Sequence, residues 1–294
     1  MYFKARYSLF YRGFFIEKDY FMSVNINKKH VFVLTVSAVI AVILCVLRTH
    51  LLLNFVEPET GFYFPGTKYG SYFGVAVVIA LAACVAGCIF SNVRVHKALT
   101  SESTLVVFSS SLCAFLFATV LFYGAYEFFK APVKNAFFAI ELLLCIPCIV
   151  FFFSMCAKET REKSAAGILL SLSPAVYYAI RTIHVFTDTK TQINTSQREL
   201  TLVMLCCMML MFVYEAYFLV ADKTDADAEK TNKTAGIRYM SFTLMSMTLS
   251  LVSALPYIAV SAFWVFEANF LAMDVLDLCI GVYAFTRAVT LCRQ

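Results

Sequence analysis

The feature that most constrains this chain is a series of apolar stretches long enough to cross a bilayer. A hydrocarbon core of ~30 Å takes about 20 helical residues to span. Unbroken runs of that size lie near 31–54, 71–93, 104–126, 136–157, 165–187, 200–221 and 239–290. The last is too long for one crossing, since at ~1.5 Å per residue it would reach beyond about 70 Å. Splitting it around Pro256 and Trp264 gives 239–260 and 268–289 and a total of eight helices, with seven as the alternative count. The runs are continuous in Leu, Ile, Val, Phe, Ala and Met and lack the alternation of outer-membrane strands. The expected fold is therefore all-α, a polytopic membrane helix bundle.

Composition agrees, because 61% hydrophobic against 15% charged residues excludes an ordinary water-soluble domain. The connections run to at most 17 residues, too few for an independent soluble unit. We expect a cytoplasmic N-terminal segment, 1–30, and a single transmembrane domain, 31–294, with halves at about 31–157 and 165–289.

Basic residues are retained on the cytoplasmic side of a membrane. With the N-terminus inside, the inner segments carry 17 Lys and Arg and the outer segments five. Both termini are thus expected in the cytoplasm, in the plasma (inner) membrane of a bacterial cell. The net charge of +5 follows from this topology, so no nucleic-acid partner is expected.

Residues 1–21 hold nine aromatics among mixed charges and can lie as an amphipathic helix on the inner surface. The alternative is a native start at Met22, because Lys18-Asp19 can be encoded with a ribosome-binding AGGA just upstream of it. Without those residues the inner count is 13, still above five. The first apolar run is a full span rather than a short h-region, so no cleavable signal peptide is expected.

Laid against itself at an offset of 133, the chain aligns Arg48-Thr49 with Arg181-Thr182. The same offset sets Phe137, Ala139, Glu141 and Leu143 on Phe270, Ala272, Asp274 and Leu276. At an offset of 134, Phe108, Ala125 and Phe129 meet Phe242, Ala259 and Phe263. Four helices per half is an even number, so the expectation is a parallel 4+4 tandem repeat.

Ionisable residues in a span face the bundle interior or a cavity by default. Arg48 and Arg181 fall roughly 9 Å below the outer helix ends and Glu141 about 8 Å below, with Asp274 at a similar depth under the repeat. Mutual pairing within this outer layer is expected. Tyr177, Arg181 and His184 share one helix face at i, i+4, i+7, and Asp274, Asp277 and Gly281 share another at i, i+3, i+7. The competing account has each arginine snorkelling to the headgroups, or pairs that merely lock helices together. Glu215 stands alone near the inner third, where a Tyr or Ser partner or a proton is expected. His50 and His184 read as interfacial residues, and no compact ligand spacing supports a metal.

Cys145-Ile146-Pro147-Cys148 is a CxxC inside a span, with Glu141, Cys145 and Cys148 on one face. Disulfide exchange with a quinone would need a second, mobile cysteine pair. The outer segments contain none, so these thiols are expected to be buried and inert. Ten of the eleven cysteines lie within spans, with Cys292 just beyond the last, and no disulfide framework is expected. Pro147, Pro174 and Gly281 mark kinkable positions, and segment 55–70, rich in Gly, Pro and aromatics, reads as a compact outer loop.

No nucleophile–base pair, HExxH, paired catalytic Asp in a GxGD setting or phosphate-binding Gly loop is present, which disfavours an enzyme. No cofactor is expected. Two classes remain. One is a small-solute transporter or permease-like protein with an outer-leaflet charged site built from Arg48, Arg181, Glu141, Asp274, Asp277, Tyr177 and His184. The other is a non-enzymatic scaffold or regulatory subunit in which those charges are structural. The corresponding partners are the lipid bilayer, a small solute, and a membrane-protein partner or a second copy of the chain.

Overall fold

In lipid a backbone must satisfy its own hydrogen bonds, so each apolar run has one economical solution, the α-helix. The structure, a computed structural model, describes residues 28–57, 63–64, 66–92, 103–131, 135–156, 165–187, 196–220, 228–261 and 268–292. The amphipathic N-terminal stretch and the Met22 start lie outside them. The helices are α1 (Lys28–Phe55), α2 (Tyr69–Ser91), α3 (Thr104–Lys130), α4 (Ala136–Cys156), α5 (Ala165–Thr187), α6 (Ser196–Val220), α7 (Ala228–Ser261) and α8 (Ala268–Cys292). Among the described residues, eight helices are thus long and apolar enough to cross a membrane, the makeup of an integral membrane protein.

The long final run divides as its length required, into α7 and α8. Helix α7 differs at its start, beginning at Ala228, well ahead of its apolar part. Segment 228–238 is polar but contains no Pro and only Gly236, so nothing stops the helix from continuing into water. Pro147, Pro174 and Pro256 all lie inside helices rather than ending them.

Six helices close a ring in chain order: α3 packs on α4, α4 on α5, α5 on α6, α6 on α7, α7 on α8, and α8 returns to α3. Helices α1 and α2 lie outside it against α7, with α1 also reaching α8. The face away from the ring is apolar. On α3, Phe108, Phe115, Phe122 and Phe129 recur every seven residues and are all exposed, as a lipid-facing stripe requires. Successive helices run in opposite directions. One end of the bundle carries the C-termini of α2, α4, α6 and α8, and is called here the C-terminal end; the other carries those of α1, α3, α5 and α7.

At that opposite end the chain after α1 folds back on itself. Val56 and Tyr63 form an antiparallel bridge, and Phe64 N–H donates to Phe55 O at 2.9 Å. Gly66 supplies the positive φ of +83° that this return needs.

Candidate functional site

Towards the opposite end of the ring, Arg181 of α5 and Asp277 of α8 form a two-pronged ion pair. Nη1 donates to Oδ1 at 2.6 Å and Nη2 to Oδ2 at 2.7 Å, with both residues buried. Pairing within the layer of Arg48, Arg181, Glu141 and Asp274 is the expectation from the sequence; the partner of Arg181 is instead Asp277, one turn beyond Asp274. The reason is side-chain direction, since a Cα–Cβ bond tilts towards its own helix N-terminus. Arg181 lies near the C-terminus of α5 and so leans towards the ring centre. Asp274 leans away from that centre, leaving the deeper Asp277 to meet the guanidinium. Asp274 is half-buried and makes no hydrogen bond or ion pair among the described residues.

The other expected members of this layer have other partners. Glu141, buried on α4, meets His184 Nδ1 at 2.8 Å, and Asn135 Nδ2 lies 3.0 Å from His184 Nε2. Asn135 Oδ1 also accepts from Phe137 N–H at 2.9 Å, capping the start of α4. Tyr177 is fully buried, its hydroxyl 3.9 Å from Met273 Sδ and its ring edge-on to Phe117. The α5 face Tyr177, Arg181 and His184 therefore touches three neighbours, α3, α4 and α8.

Arg48 is equally buried but stands outside the ring. Its guanidinium donates to Tyr63 Oη and to Gln197 Oε1 at 3.3 Å, and it lies over the Phe73 ring at 5.4 Å. Gln197 passes the connection to Ser253 Oγ on α7 at 3.2 Å. Segment 55–70 thus does more than turn the chain, because its Tyr63 seals the arginine. The structure does not bring Arg48 together with Arg181 in one cluster.

A second ion pair lies towards the C-terminal end. Arg287 Nη2 is 2.7 Å from Glu215 Oε1, and both residues are fully buried. The Tyr283 hydroxyl donates to the same Oε1 at 2.5 Å and accepts from Arg287 Nε at 2.9 Å. The tyrosine partner of Glu215 was expected from the sequence; the arginine was not. Arg287 had been counted among inner-segment cations, yet it sits inside α8 five residues before Cys292. A basic residue near a helix end looks the same in sequence whether it faces water or a buried acid. The available signal was the i, i+4 spacing of Tyr283 and Arg287, which puts both on one face.

Asp277 and Arg287 are ten residues apart on α8, or about 15 Å. Aromatic rings fill the space between the two pairs. Phe212 stacks on Tyr178 at 5.8 Å and on Tyr283 at 6.1 Å, Phe152 meets Tyr283 edge-on at 5.3 Å, and Phe117 stacks on Phe152 at 5.6 Å. Helices α7 and α8 cross closely here, since a Cβ on Gly281 would stand 2.5 Å from Ser250 Cβ. Cys113 also belongs to this middle layer, its thiol reaching Cys279 O at 3.6 Å.

Cys145 and Cys148 are buried free thiols on the same face of α4 as Glu141. Among the described residues no three of His, Cys, Asp and Glu gather as a metal would require. Comparison with known proteins gives no match to a family model, a curated protein or a solved structure.

Proposed function

We propose that this protein is a small-solute carrier of permease-like design, in which the two buried ion pairs are the closures of one path through the six-helix ring. The observation that carries this reading is α8 itself. It holds an acid and a base about 15 Å apart, each paired in full burial with a charge on a different helix. A carrier needs a barrier on either side of a central site and must open them in turn. Salt-bridged layers can break and reform as helices rock, while an all-apolar core offers no such discrete contact. The excess of basic residues supports placing the Glu215–Arg287 layer on the cytoplasmic side, with both termini inside. The duplication suggested by the 133-residue offset is compatible with this mechanism and not required by it.

A second reading has one observation in its favour. The aromatic filling between the pairs suits a scaffold or regulatory subunit in which the charges only lock helices, working with a membrane-protein partner or a second copy. One experiment separates the two. In a variant whose only cysteine is Cys113, a membrane-impermeant thiol reagent is applied to right-side-out and to inverted vesicles. For a carrier, Glu215→Gln should raise Cys113 labelling from the C-terminal face alone, and Asp277→Asn from the opposite face alone, each by an order of magnitude. Folded variants in which Cys113 stays unreactive from both faces would reject the carrier.

A further inference from the structure

The Glu215 site is unevenly bonded for so deep a place. Oε1 receives two donors, from Tyr283 and Arg287, while Oε2 has no hydrogen-bond partner. Arg287 Nη1 is also without one, as is the hydroxyl of fully buried Tyr239 on α7, which lies within the electrostatic field of both charges. Native proteins leave few buried polar atoms unmatched, and three around one carboxylate call for an explanation.

We propose that Glu215 is a proton-binding site, with Oε2 as the atom that takes the proton. The proposal rests on the carrier reading for its purpose, making it proton-coupled, though not for its chemistry. An O–H bond forms at Oε2, a hydronium becomes water, and nothing is oxidised or reduced. Because Oε1 already holds both donors, the proton can enter at Oε2 before any side chain moves. Arginine does not give up its proton in exchange. It loses its counter-charge instead, and from five residues inside the end of α8 its long side chain can turn to water. Proton loading thereby loosens the closure at the C-terminal end.

Of the titratable and charged groups facing Glu215, Arg287 and Tyr283 hold the charged form by ion pairing and hydrogen bonding, so a proton at Oε2 has to compete with that pair. The facing groups are Tyr283 and Arg287 from α8, Tyr239 from α7 and Cys113 from α3. Tyr178 of α5 lies instead in the field of Asp277 and Arg181, and from α4 the neighbour is the Met155 thioether, 4.0 Å from Arg287 Nη2. A route for protons runs along α7. Tyr239, Thr243, Ser246, Ser250 and Ser253 alternate four and three residues apart on one face, all buried. Thr243 and Ser250 bond back to their own helix, but Ser246 Oγ has no partner, and neighbours on such a face stand about 5–6 Å apart, a gap one water bridges.

The test is infrared difference spectroscopy of the full chain in proteoliposomes, comparing acidic with alkaline buffer. The wild type should gain a carboxylic-acid C=O band on acidification, and Glu215→Gln should lose that component. Tyr239→Phe should shift its titration midpoint while retaining the band. A folded Glu215→Gln protein with an unchanged band overturns the proposal. If that variant does not fold, an unaltered midpoint in Tyr239→Phe overturns it. The result is distinguishable from failure of the carrier reading, because Cys113 labelling that responds to the pair variants alongside an unchanged band rejects the proton site alone. A band lost without any change in Cys113 labelling upholds the proton site and removes the carrier.

Discussion

The two ion pairs on α8 contain the same chemical groups at similar burial, but they are matched differently. At Arg181–Asp277 each carboxylate oxygen receives its own guanidinium nitrogen. At Glu215–Arg287 one oxygen takes every donor, and the other oxygen and one guanidinium nitrogen take part in nothing. A fully matched pair has a single good state, because any neutral replacement must set a donor against a donor. A half-matched pair has a second state nearby, since a neutral group can keep the bonds already made. Burial and net charge do not distinguish a lock from a switch here; the count of matched atoms does.

The largest expected effect is at the matched pair. In Asp277→Asn one amide N–H₂ must face an Arg181 N–H₂, and a buried arginine loses its counter-ion. A loss of about 3–5 kcal/mol is the usual scale for removing one partner of a buried pair. Thermal unfolding in detergent should show it as a large fall in Tm. Exchanging the charges, Arg181→Asp with Asp277→Arg, should recover part of that loss, whereas a variant destabilised for unrelated reasons gains nothing from the exchange.

Glu215→Gln also takes the counter-ion from a buried arginine, but it is expected to cost less, about 1–3 kcal/mol, because Arg287 keeps its bond to Tyr283 and lies near the end of α8. Its amide oxygen can occupy the Oε1 position and still accept from Tyr283 and Arg287, while its N–H₂ replaces an oxygen that had no partner. The same melting experiment decides the point. Equal losses at Asp277→Asn and Glu215→Gln would mean that both sites are locks, and the contrast between them would disappear.

How much of this was legible in the sequence depends on what sets each feature. The helices were legible because bilayer thickness dictates the length of an apolar run, and even the long stretch at 239–290 divided where its length demanded. The polar start of α7 was not, because a helix continuing into water leaves no hydrophobic trace. Burial was legible for Arg48, Arg181 and Glu141, each of which is buried, and less so for Asp274, which is half-buried. Partners were not, because they depend on which helices adjoin and on the lean of each side chain. The offset-related arginines show this most clearly. Arg181 points into the ring at an acid, while Arg48, on a helix outside the ring, is held by a tyrosine and a glutamine. Pattern alone cannot report ring membership, and ring membership decides what a buried arginine meets.

The smallest expected effect lies three residues from the largest. Asp274 is on the same helix as Asp277, and the repeat had marked it as the acid of the outer layer. Yet it leans away from Arg181 and makes no ion pair among the described residues, its near neighbour being the Tyr257 phenol of α7. A half-buried carboxylate with no bonded cation gains little from its charge, because the field of Arg181 is offset by that of Asp277, and it bears part of the desolvation cost of a buried ion. Asp274→Asn removes that cost and breaks no bond, so stability should stay within about 0.5 kcal/mol of wild type, or rise, and Tm should hardly move or increase. The double variant Asp274→Asn with Asp277→Asn should then match Asp277→Asn alone. If Asp274→Asn instead falls as far as Asp277→Asn, the two acids share Arg181 in the membrane. The matched pair would then be a three-charge cluster, and α8 would carry its lock one turn closer to the opposite end.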